Sequence, residues 1–205
     1  MIRPHGRRRV WQVQRSSVYR ARNIEGMIVT TTLQAHETHT TAQLSNDVSP
    51  LSLRSAFGQF PSGVAALAAS TDRGLAGMAA SSFTVGVSLD PPLVAVAIQN
   101  NSETWPTLRD SDSIGISILG EGQGPIARQL AAKGIDRFEG LDLEVHGPSI
   151  FINHAALWLD TTVYAEYPAG DHVMVLLQVN NLADFTNIHD PLVFHKSQFR
   201  NLESN

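Results

Sequence analysis

The 205-residue chain contains no cysteine. That absence excludes disulfides, thiolate metal sites, cysteine-held iron–sulfur clusters and a cysteine nucleophile. Redox chemistry here would need a cofactor to carry it. No apolar run approaches the roughly 18 residues a membrane span needs, and no secretory h-region is visible. The expectation is a cytoplasmic protein with no membrane partner. No GxGxxG follows a strand-like run, which disfavours a Rossmann-type nucleotide site. Acidic residues are missing before Glu25, although Arg3, Arg7, Arg8, Arg9, Arg15, Arg20 and Arg22 crowd that opening segment. Such an arm can bind nucleic acid or acidic lipid, or resemble a transit peptide. The rest of the chain is acidic enough to bring the total to −4, so no nucleic-acid partner is expected. Met27 follows directly, and residues 27–50 hold Thr, His, Ser and Asn without a sustained period. Residues 1–50 are therefore expected to be a disordered N-terminal extension, with 1–26 upstream of the folded unit, and 51–205 the domain. His36 and His39 have ligand-like spacing but no third ligand, so no metal is expected.

What is present reads as one mainly β domain, with the 42% hydrophobic content of an ordinary globular protein. Ser52 is placed as the cap of a short helix through Phe57, with Leu53, Ala56, Phe57 and Phe60 as its apolar face. Val64 to Ser70 reads as a buried strand. Thr71-Asp72-Arg73-Gly74 closes a hairpin, and Leu75 to Val87 returns beside it. Asp90-Pro91-Pro92 breaks that element, because proline cannot donate to a ladder. Leu93 to Gln99 is the next strand. Asn100-Asn101-Ser102 then leads into a helix capped by Ser102, with Trp105 and Leu108 on one side and its free N–H groups a natural anion site. Ile114 to Leu119 is a strand, Gly124 to Lys133 an amphipathic helix, and Asp136 to Leu143 irregular. Ala156 to Tyr167 and Asp171 to Leu182 are strands joined by a Pro168-Ala169-Gly170 turn, and Pro191 to His195 is a final short strand. Few helices and about six closely spaced strands point to a small barrel rather than a doubly wound sheet.

One stretch invites a flat ligand. In Gly77 to Ser102 the small side chains of Ala79, Ala80, Ser81 and Ser82 let a planar ring approach the main chain, with hydroxyl and amide groups to orient it. Close sheet packing would explain the same small residues.

Several segments, in order, resemble the flavin reductase component of two-component flavin-dependent monooxygenases. They are LRSAFGQFPSGV, GMAASSFTVGVSLDPPLVAVAI, the NNS turn followed by Trp105, IGISIL, DRFEG, the Gly170-Asp171-His172 triplet and PLVFHKSQF. The resemblance implies an FMN-binding split β-barrel with Greek-key topology and short flanking helices. It implies FMN or FAD as acceptor, NADH or NADPH as hydride donor, a homodimer, and a separate monooxygenase receiving reduced flavin. It assigns Gly77, Met78, Ala79, Ala80, Ser81 and Ser82 to the flavin ring, and Asn100, Asn101 and Ser102 to the ribityl phosphate. Phe138, Phe194 and His195 border the site, Lys196 adds charge, and His172 is the catalytic residue beside flavin and nicotinamide. Three departures stand out: Ala79 where Thr is common, Leu177 where Gly is common, and Phe194 for a frequent Tyr. The residues alone leave two rivals open, a split-barrel protein with tightly held FMN acting on its own substrate and a non-catalytic flavin or haem binder.

Other histidines and acids are set aside. His146, His154 and His189 are expected in loops. Asp110, Asp112, Asp136, Glu139 and Asp142 are read as a solvated face. Trp158 and Tyr164 are read as sharing one strand face.

Overall fold

The computed structural model describes residues 44–202. The opening arginines, His36, His39 and most of the expected extension lie outside the described residues. The chain runs α1 (Pro50–Phe57), β1 (Ser62–Gly63), β2 (Ala65–Thr71), β3 (Gly74–Ala80), β4 (Thr84–Leu89), β5 (Pro92–Gln99), α2 (Trp105–Arg109) and β6 (Ile114–Ile118). It continues through α3 (Gly124–Ala131), β7 (Leu143–His146), β8 (Ser149–Ile152), β9 (Leu157–Ala169), β10 (His172–Asp184), β11 (Val193–His195) and β12 (Gln198–Arg200).

The main sheet is nine-stranded, in the order β4-β5-β10-β9-β6-β2-β8-β7 with β3 added beside β2; β1, β11 and β12 form a second, small sheet. Residues 64–69 are buried without a break. That is what a strand covered on both faces requires, and β2 also has a neighbour along each edge, β3 and β6. Around the barrel the two terminal strands are β4 and β3, consecutive in sequence and joined by Ser81-Ser82-Phe83. The barrel is split at that junction.

The expected single strand from Leu75 to Val87 is therefore two. β3 has a partner only as far as Ala80, which pairs with Ala65 at the start of β2. The chain then crosses to β5, where Ser82 Oγ donates to Ala97 O at 2.8 Å. β4 pairs with β5 through a register shift between Thr84 and Ser88.

Other boundaries also move. Ser49 caps α1, its hydroxyl accepting from Ser52 N, because Pro50 at the first turn needs no amide partner. No residue of α1 is buried, so among the described residues the face expected to pack the domain is at most half-covered, at Leu53. The β9–β10 turn is Gly170-Asp171, with Gly170 at φ +69°. Pro168 stays in β9 opposite Val173. It is tolerated there because β6 pairs with β9 only as far as Thr161, leaving the far half of that edge open.

Two apolar clusters hold these elements. The first fills the barrel with Leu67, Val96, Ile98, Trp105, Leu108, Ile116 and Leu177. Leu177, one of the three departures, is completely buried there beside an irregularity in the β9–β10 register. The second lies under α3 and includes Val64, Ala127, Leu130, Phe138 and Ile150. Trp158 stacks on Phe151 at 5.1 Å. Tyr164 sits at the β9 bulge with no cross-strand partner and is exposed, so the two do not act as a pair.

Candidate functional site

β3 carries the segment that the sequence singles out. Its two-residue turn makes Thr71 and Gly74 a paired position, and antiparallel ladders alternate between inward and outward main-chain groups. The N–H and C=O of Gly77 and Ala79 consequently face the open edge. Ala79, Ala80 and Ser81 line an apolar pocket of about 190 Å³ together with Phe194. Ala127 and Arg128 of α3 and Phe199 of β12 complete it. Small side chains beside the outward main-chain groups of Ala79 fit a planar ring with a hydrogen-bonding rim, so the residues present suit a flavin.

The remaining candidates divide. Met78 packs against the first core cluster. Gly77 is buried, and a Cβ there would come within 2.5 Å of Phe138 Cζ. Its missing side chain makes room for Phe138, which is itself buried. Both border a neighbouring cavity of about 430 Å³ that includes Arg73 and Arg137. Ser82 has its hydroxyl proton on Ala97. His195 follows Phe194 along β11 and so projects to the opposite face from the pocket.

Asn100 and His172 are brought to one corner, where β5 ends beside the β9–β10 turn. Asn100 Nδ2 donates to Gly170 O at 3.1 Å, its N–H donates to Asp171 O at 3.0 Å, and His172 lies opposite Gln99 at the end of β5. His172 Nδ1 is 2.7 Å from Asp171 Oδ1. That bond, followed by the imidazole's charge, holds the Asp171 carboxyl below its ordinary value. With Nδ1 so engaged, Nε2 is the nitrogen left to face a substrate.

The anion site expected at Ser102 is not formed by a helix start. α2 begins at Trp105 and is five residues long. Trp105 N–H donates to Ser102 Oγ at 3.2 Å, Pro106 has no N–H, and the amides of Thr107 and Leu108 both reach Thr104 O. The first-turn amides of α2 itself are therefore taken up within the protein.

Arg137 escaped the sequence reading. Its Nη1 donates to Gly77 O at 2.9 Å and to Thr104 Oγ1 at 2.8 Å, and its Nε donates to Ala132 O at 2.6 Å. The only signal was its place in DRFEG. Asp110, Asp112, Asp136, Glu139 and Asp142 are all exposed. His154 and His189 lie in loops, whereas His146 ends β7. Among the described residues no group of His, Asp and Glu could hold a metal ion, and no helix is long and apolar enough to cross a membrane.

The model of the flavin reductase like domain matches residues 57–203. The chain belongs to that family. An NADH-dependent flavin reductase from a Rhodococcus species is 35% identical over 169 residues, covering 81% of this chain and 94% of the relative. The reductase subunit HsaB of a flavin-dependent monooxygenase from Mycobacterium tuberculosis is 28% identical over 164 residues, 78% of this chain and 86% of that protein. Among solved structures, the NADH:FAD oxidoreductase SgcE6 of Streptomyces globisporus in complex with NAD and FAD fragments superposes with a TM-score of 0.73 at 28% identity, covering 79% and 98% of the two chains. The flavin reductase like fold is thus the split barrel expected from the motifs.

Proposed function

We propose that this flavin reductase like protein is an NAD(P)H:flavin oxidoreductase that reduces FMN or FAD and releases the product to a separate flavin-dependent monooxygenase. The observation that carries the reading is the open edge of β3, where Ala79, Ala80 and Ser81 share one pocket with Phe194, 113 residues further on from Ser81. The nicotinamide supplies a hydride and the flavin accepts it; the chain supplies alignment.

In this reading Ala79 and Ser81 offer main-chain and hydroxyl groups to the polar rim of the ring, Gly77 keeps only its N–H for it because its carbonyl accepts from Arg137, and Phe194 closes the apolar end. Asp171 fixes the imidazole of His172 so that Nε2 faces the reacting rings and meets developing charge. Asn100, Asn101 and Ser102 contact the ribityl phosphate through side chains, without help from a helix dipole. Met78, Ser82, Phe138 and His195 act behind the wall rather than on the ligand.

The same reading includes a homodimer. Leu51 and Phe57 of α1, with Phe60 just after it, are exposed, as are Val85, Val87 and Leu89 of β4, an edge strand. Strand edges and apolar faces of this kind are normally covered. Sedimentation as a monomer at micromolar concentration would count against the dimer. The enzymatic reading is tested by offering NADH and NADPH against FMN, FAD and riboflavin and following the nicotinamide absorbance. Flavin-dependent oxidation in at least one pairing is expected, and none in any pairing would overturn it.

A further inference from the structure

β3 ends the sheet, and its outer edge has no strand beside it. An edge in that position needs another means of being held, because no second ladder fixes its distance from the rest of the barrel. The loop between α3 and β7 supplies two. From the edge side, Arg137 donates to Gly77 O, and the same guanidinium reaches Thr104, the residue before α2, and Ala132, the residue after α3. From the face side, Phe138 occupies the space that Gly77 leaves open. Asp136 Oδ1 accepts from Phe138 N–H at 2.9 Å and sets the turn that aims both side chains.

Gly77 and Ala79 are two residues apart, or about 7 Å along a strand. The Arg137 donors are spent on protein oxygens one step away from the groups that face the pocket. The bonds to Gly77, Thr104 and Ala132 use a planar, forked donor set that a lysine ammonium, a single point charge, does not reproduce.

We infer that Arg137 is a positioning residue for flavin binding, one that locks the open edge of β3 against α2 and α3 so that Ala79 and Ser81 present their groups at a fixed place. The inference rests on the reading that this edge takes the flavin ring.

The test uses the full chain carrying Arg137→Lys, Thr104→Val and both together, with melting temperature, flavin KM and kcat at saturating flavin measured for each. Arg137→Lys should raise the flavin KM by roughly 10-fold and Thr104→Val by roughly 3-fold, with kcat within about 2-fold of the parent. The double variant should resemble Arg137→Lys alone, because both substitutions remove one shared bond. Guanidinium ion added to a folded Arg137→Ala protein should recover part of the lost affinity. A folded Arg137→Lys protein with the parental flavin KM overturns the inference, as do additive effects in the double variant. If the Arg137 variants fail to fold, Thr104→Val decides alone, and an unchanged flavin KM overturns it. A parent protein that reduces no flavin overturns the underlying reading and this inference with it, whereas an active parent with unresponsive variants overturns this inference only.

Discussion

Replacing Gly77 by Ala adds one methyl group where the structure has no room. The new Cβ would stand 2.5 Å from Phe138 Cζ and 3.1 Å from Leu67 O. Carbon atoms in contact sit about 3.5–4.0 Å apart, so the ring must retreat by about 1 Å. Phe138 is only 9% exposed and packs within the cluster under α3, so retreat disturbs other buried contacts. Overpacking of this kind costs about 1–3 kcal/mol. In a domain of this size that lowers the melting temperature by about 2–12 °C. Thermal unfolding followed by far-UV circular dichroism measures it. The same displacement should raise the flavin KM, since Ala79 follows on the same strand. Adding Phe138→Leu shortens the obstructing ring, so the double variant should be more stable than the sum of the two single losses by about 1 kcal/mol. A Gly77→Ala protein that melts within about 1 °C of the parent would refute the close packing of Phe138 on β3.

Gly115→Ala should be more severe, because its Cβ would meet the backbone of Ile150, with O at 2.3 Å, C at 2.8 Å and N at 2.9 Å. A loss of about 3 kcal/mol or more is expected, read as poor soluble yield and early melting. His172→Ala should lower kcat by roughly 10- to 100-fold, the worth of one hydrogen bond to developing charge, and leave flavin KM within about 2-fold. Equal kinetics in the variant would remove His172 from the site. The lowered Asp171 carboxyl sets a pH dependence: its contribution to stability is present above about pH 4, the ordinary carboxylate value, and is lost as pH falls through the lowered folded value. The melting-temperature difference between parent and Asp171→Asn should therefore shrink on acidification, and a constant difference would contradict the bond to His172.

Local features were legible where physics leaves a local mark. The unbroken apolar run of β2, the turn at Asp72-Arg73, the proline break at the start of β5 and the spacing of α3 all survive in the structure. The division of β3 from β4 was not legible, because it depends on where β2 runs out of residues to pair. β7 and β8 are four residues each, too short for a period to appear. The helix expected from Ser102 starts later, at Trp105, because Pro106 suits a first turn and the Trp105 amide is taken by Ser102 Oγ. Phe194 meets Ala79 and Ala80 only through the separate β1-β11-β12 sheet, and nothing in spacing announces that. Arg137 reaches a carbonyl 60 residues away, and a main-chain acceptor has no side-chain signature to find.

If a flavin lies on the open edge of β3 and is reduced there by a nicotinamide, anaerobic mixing of catalytic amounts of the protein with excess FMN or FAD and NADH or NADPH will show it in the oxidised-flavin absorbance. Rapid bleaching of the free flavin, reversed by air, is expected in at least one pairing. Flavin that keeps its oxidised spectrum in every pairing, no faster to bleach than without protein, would contradict it.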